Sequence, residues 1–229
     1  MSRDVPPGAQ DVLATATKTR ELRLATVSFY SEQVLPRFID VALGKAVVPI
    51  RRRVLEGLSG EVLEIGFGSG RNLPYLPSAV TRVLAVEPAG TAWRIASRRI
   101  GAAGIPVELI GTDGQDLAIP DASVDHVLVT WVLCTVPDVE RALTEARRVL
   151  RPGGSLHFVE HGRSPHRRVA DWQDRITPIW QRLFGGCHLN RPIDKLIEAG
   201  GFRLDTISTY RIGPELAGFM YEGVASKEP

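Results

Sequence analysis

Cysteine is scarce in this 229-residue chain: Cys134 and Cys187 are the only two. They make neither a disulfide framework nor a CxxC metal pair, so a reducing compartment is expected and no metal ligands are. An excess of one charge is also missing. Lys and Arg number 28 against 26 acidic residues, a net charge of +2, which gives no electrostatic case for a nucleic-acid partner. No run of 18 apolar residues occurs, so no membrane-spanning helix is expected. The start, Met1 to Gln10, is polar, carries two prolines and lacks the apolar core of a signal peptide. A cytoplasmic protein is the resulting expectation. Internal repeats and low-complexity segments are absent as well. What remains is a chain of 44% hydrophobic composition. That suffices for one α/β domain with a helical extension and is marginal for two.

The chain is organised around residues 61–70. Val62, Leu63 and Ile65 form a short apolar run suited to a buried parallel strand. Gly66, Gly68 and Gly70 then break it at every second position, and a helix is expected to open over Arg71 to Leu76. Strand, glycine turn and helix N-terminus together let backbone approach a ligand closely. A dinucleotide fingerprint would place its third glycine at 71, which is Arg. Glu64 at the strand end would repel a phosphate and suits a ligand carrying an amine. The next strand, Thr81 to Val86, ends at Glu87-Pro88. An acid at the end of that strand offers paired acceptors to the two hydroxyls of a ribose.

Further strands are expected at Val107 to Ile110, His126 to Thr130 and Ser155 to Val159, with helices at Trp93 to Ala103 and Glu140 to Leu150 between them. Arg151-Pro152-Gly153-Gly154 ends the second of these helices. A last helix, Pro192 to Ala199, and two closing strands, Arg203 to Tyr210 and Phe219 to Ala225, follow. This alternation predicts a doubly wound sheet. Ahead of it, residues 26–57 carry apolar positions at helical spacing and the triplet Arg51-Arg52-Arg53, read as a capping helix pair with a solvated basic face. The division is a helical cap over 1–57, a core over 58–162, a lid-like insertion over 163–192 and a closing unit over 193–229. Thr130 and Trp131 fall at the carboxyl end of a parallel strand, where such sheets bind ligands.

The glycine stretch resembles the first motif of the class I S-adenosyl-L-methionine (SAM) methyltransferases. The second half is similar to one subfamily, the methyltransferase-like group that includes animal enzymes methylating small alkyl thiols and many bacterial relatives. Residues 130–136, 145–154, Glu160-His161, Trp180 and 185–189 carry this likeness. The resemblance implies a Rossmann-like, doubly wound, seven-stranded sheet, mostly parallel with the last strand antiparallel, and N-terminal capping helices. It implies SAM as cofactor. Glu64, Gly66, Gly68, Gly70 and Asn72 would hold its amino-acid end, and Glu87 and Pro88 its ribose. Asp113, Gly114, Gln115 and Asp116 are all candidates beside the adenine. Thr130 and Trp131 would border the methyl group. The animal members begin with a hydrophobic membrane anchor and this chain shows none, so at most peripheral membrane contact is expected.

The expected reaction is direct methyl transfer to a small acceptor, a thiol by preference, with a phospholipid amine or a quinone carbon as alternatives. A NAD-type oxidoreductase and a non-catalytic SAM-binding protein are the readings from other classes. His161, after the fifth strand, is the candidate base, with a structural histidine as the plain alternative. Trp172, Trp180, Phe184 and Cys187, in or beside the insertion, either line the acceptor pocket or pack. Cys134 reads as a small packed residue.

Overall fold

A computed structural model describes residues 47–213 and 218–227. Five strands come first: β1 Gly60–Ile65, β2 Val80–Val86, β3 Val107–Gly111, β4 Val124–Thr130 and β5 Leu150–His161. Two close the chain, β6 Phe202–Arg211 and β7 Phe219–Lys227. The helices are α1 Val48–Leu55, α2 Gly90–Gly101, α3 Val139–Val149, α4 Arg167–Leu183 and α5 Ile193–Ala199. All seven strands join one sheet in the order β3-β2-β1-β4-β5-β7-β6. β1 to β5 pair in parallel, and β7 enters antiparallel between β5 and β6. The strand order reverses between β1 and β4, which opens a crevice at their carboxyl ends.

Burial of β1 on both faces fixes this arrangement. Val62 and Leu63 point to opposite sides and are both fully buried. Leu63 packs in one cluster with Leu143 and Val149 of α3 and Ile193 and Ile197 of α5. Val62 packs in the other with Val54 and Leu55 of α1 and Ala96 of α2. Each fully buried Leu or Ile contributes roughly 1.5–3 kcal/mol, so the apolar run of β1 is what draws helices to both faces. α3 starts at Asp138, whose side chain accepts the Arg141 N–H at 3.0 Å. Such an N-cap contributes about 1 kcal/mol.

Several expectations change. The helix expected at Arg71 to Leu76 is only a 3-10 turn, Leu73–Tyr75. Pro74 removes an N–H there, and the Asn72 side chain turns inward to Glu64 and Thr130 instead of capping. The third strand lies at the sheet edge, with Glu108 and Leu109 exposed. β5 begins at Leu150 and not at Ser155; Arg151–Gly154 run within it across a shift in register. The Arg triplet is split: Arg52 and Arg53 are exposed, as a solvated face requires, with Arg53 in a two-point ion pair with Glu222 at 2.8 and 2.9 Å, whereas Arg51 is buried. Of the expected cap, the part before residue 47 lies outside the described residues.

Candidate active site

The glycine turn leaves β1 under tight constraint. Gly66 sits at φ 73°, and a Cβ there would lie 2.2 Å from Val132 Cγ2. Backbone conformation and packing therefore both demand glycine. Gly66 and Phe67 donate their N–H groups to the Val86 carbonyl at 2.9 and 3.0 Å. Gly68 donates to Glu87 Oε2 at 2.6 Å, and Ala89 donates to Glu87 Oε1 at 2.8 Å. Glu87 thus clamps the turn to the end of β2. Each of its oxygens keeps a lone pair for a ligand hydroxyl. Burial pushes its pKa up, against the pull of those two N–H groups. Pro88 beside it is exposed.

Glu64 is 1% exposed at the end of β1. Its Oε1 accepts from Asn72 Nδ2 at 2.7 Å, and the same amide reaches Thr130 Oγ1 at 3.2 Å. Asn72 Oδ1 in turn accepts from Arg51 Nη1 at 2.6 Å. Burial raises the Glu64 pKa to about 8, with the Asn72 hydrogen bond and the Arg51 charge opposing it. Burial likewise lowers Arg51 to about 10. Glu64 Oε2 and Arg51 Nε are buried without a hydrogen-bond partner among the described residues. Arg51 also lies over the Trp131 ring, 4.9 Å from its centroid. Trp131 holds φ 58°, a strained conformation for a bulky residue.

Arg51 was missed by the sequence reading, although a signal existed. The buried residues Val47, Ile50 and Val54 place position 51 on the same helical stripe, at i, i+3, i+4 and i+7. A charge on an apolar stripe points to a buried partner.

The loop after β3 is held by its own side chains. Gly114 is buried, and a Cβ there would meet Ile65 Cγ2 at 2.5 Å. Asp113 Oδ1 accepts the backbone and side-chain N–H groups of Gln115 at 2.9 and 2.8 Å, which lowers the Asp113 pKa. Gln115 Oε1 accepts the Asp138 N–H at 2.7 Å. The Gln115 amide is thus bound at both ends, while Asp113 and Asp116 stand exposed.

A second cluster gathers where β4 and β5 end. The Glu160 carboxylate, fully buried, accepts the N–H groups of Val132, Leu133 and Cys134 at 2.6, 3.0 and 3.2 Å. His161 Nε2 lies 2.8 Å from Cys187 Sγ, and its Nδ1 is buried without a hydrogen-bond partner among the described residues. Trp180 Nε1 donates to the same sulfur at 3.2 Å and stacks on Phe184 at 4.0 Å between centroids. The hydrogen bond with Cys134, and then burial, push the Cys187 thiol pKa far up. Trp172 is apart from this group: it is 54% exposed on α4 and lies under Arg175.

Residues 63–158 match the methyltransferase domain family. The fold is similar to that of solved SAM-dependent methyltransferases, one of which, from Methanosarcina mazei, superposes with a TM-score of 0.61 at 22% identity over 78% of this chain and 97% of that chain. Among individual relatives, human thiol S-methyltransferase TMT1A is 35% identical over 152 residues, 64% of this chain and 62% of its own length. The phosphatidylethanolamine N-methyltransferase of Cereibacter sphaeroides is 32% identical over 127 residues, 53% of this chain and 62% of its own. This chain therefore spans about three fifths of the curated relatives. A SAM-dependent methyltransferase from Leishmania major superposes with a TM-score of 0.65 at 16% identity, over 88% of this chain and 82% of that chain.

The site fits SAM on its own terms. The orphaned Glu64 Oε2 and Arg51 Nε are an acceptor and a donor joined through one asparagine. They match the ammonium and carboxylate of an amino-acid zwitterion. Glu87 is left with acceptors for a diol. Among the described residues, no helix is long and apolar enough to cross a membrane.

Proposed function

We propose that the chain is a SAM-dependent methyltransferase acting on a small thiol. Arg51 Nε and Glu64 Oε2, buried beside the glycine turn without a hydrogen-bond partner among the described residues, carry the cofactor half of this reading. The thiol acceptor is supported by the 35% identity to thiol S-methyltransferases. Bound SAM supplies an electrophilic methyl group on a sulfonium. The protein's part is to hold and to desolvate. Glu64 and Arg51 would grip the amino-acid end, Glu87 the ribose, and the 113–116 loop would hold the adenine. Thr130 and Trp131 would border the donor carbon. Thiols react as thiolates, so the acceptor side needs a group that favours ionisation. His161, set against Cys187, is the residue that bears on this.

Radiolabelled methyl transfer tests the reading. The purified chain is offered a small alkyl thiol, phosphatidylethanolamine vesicles and a demethylated quinone. Label is expected on the thiol. Label on lipid or quinone alone overturns the thiol assignment. SAM binding without transfer to any acceptor leaves a binding protein and overturns the enzyme.

A further inference from the structure

We propose that Cys134, His161 and Cys187 bind one thiophilic divalent cation, zinc by class, whose fourth coordination position faces the methyl acceptor. The three residues come from the β4 exit, the end of β5 and the loop after α4, and one ligand atom of each lies within 4.8 Å of the others. Zinc–sulfur and zinc–nitrogen bonds of about 2.3 and 2.0 Å at tetrahedral angles set sulfur atoms about 3.8 Å apart and sulfur about 3.5 Å from nitrogen. The 4.8 Å limit on their present spacing exceeds those separations by about 1 Å. His161 Nε2 and Cys187 Sγ, now 2.8 Å apart, part by about 0.7 Å to meet those bond lengths.

The ligands are held as a metal site needs. Glu160 fixes the Cys134 backbone from one side, and the His188 N–H, donating to the Cys134 carbonyl at 2.6 Å, fixes it from the other. The Trp180 N–H on Cys187 Sγ is the kind of outer hydrogen bond that supports a ligating thiolate. Two sulfurs and an imidazole suit zinc and exclude calcium and magnesium, which take oxygen. The charge also fits. Cys134 and Cys187 each release a proton to solvent and neutralise the two positive charges. Arg191 lies beside them, its guanidinium donating to the Leu133 and Val136 carbonyls.

Among the described residues the cluster has three ligands. Structural zinc takes four protein ligands; three with one open position is the catalytic pattern. An acceptor thiol entering that position gives its proton to solvent as its sulfur binds the cation. The sulfur lone pair then forms the new S–CH3 bond while the sulfonium S–CH3 bond breaks, leaving two neutral thioethers. His161 serves here as a ligand and not as a base. This last part rests on the thiol reading above; the cation site does not.

The test uses the full chain. After incubation with zinc chloride and dialysis, elemental analysis is expected to find one zinc per chain. Cys134→Ser and Cys187→Ser are expected to fall to about a tenth of that or less, with SAM binding kept. Cobalt in place of zinc is expected to show sulfur-to-cobalt charge-transfer absorption that changes when a small alkyl thiol is added. Wild-type protein with no more than a tenth of an equivalent, roughly, overturns the site, and so does equal metal in both serine variants. Bound cobalt whose spectrum ignores the thiol overturns the open position. Methyl transfer to a thiol is scored separately, so failure of that reading is distinct from failure of the cation site.

Discussion

SAM affinity should depend steeply on pH, and Glu64 sets the slope. Burial lifts its pKa from 4.5 to about 8. At pH 6 only about one ligand-free molecule in a hundred carries the carboxylate that pairs with an ammonium, so SAM should bind about 100-fold more weakly than above pH 8. That ratio is about 2.7 kcal/mol. The sign follows from linkage. Between pH 4.5 and 8 the folded, ligand-free protein holds a proton that the unfolded chain does not, so this group's contribution to stability declines as pH rises through that window. SAM binding expels the proton. Titration calorimetry at pH 7 in two buffers of different ionisation heat should register release of about 0.9 proton per SAM. Glu64→Gln should bind weakly at every pH and release none. An affinity that is flat from pH 6 to 8 with no proton released would refute the role of Glu64 as partner of the ammonium.

Three other outcomes are expected. Arg51→Met removes a charge-assisted bond worth roughly 1.5–3 kcal/mol and should weaken SAM about 10- to 100-fold by calorimetry, with circular dichroism unchanged. Glu87→Ala should cost more than the ribose bonds alone, because the Gly68 N–H loses its anchor; a SAM affinity equal to wild type by calorimetry excludes the ribose role and any need of that anchor for SAM. Trp172→Ala should leave acceptor kinetics within about twofold, since the ring is exposed and surface changes are nearly neutral; a large rise in KM would return it to the acceptor pocket.

The sheet was legible because its signal is local: β1, β2 and β4 are apolar runs with Glu64 next to last in β1, Glu87 just after β2 and Thr130 last in β4. The chemistry of those ends was less so. Glu87 could be placed by spacing, but its anchoring of Gly68 depends on two strands lying side by side. The turn after Gly70 was misread because a proline at a helix start is permissive in sequence, while the inward pull on Asn72 is tertiary. Arg51 was hidden by its neighbours Arg52 and Arg53, which made the triplet look like one charged face. The meeting of Cys134, His161 and Cys187 had no sequence spacing to announce it, because three separate segments supply it.

The buried carboxylate of Glu160 also ties two distant stretches of chain together. The three N–H groups it accepts belong to residues 26 to 28 positions earlier, in a loop that leaves β4. Such a bond forms only after the intervening chain has closed on itself, at an entropic cost. The β4 exit loop, and Cys134 with it, is therefore anchored to β5 through one side chain, and a change at position 160 reaches the Cys134 backbone without touching it directly.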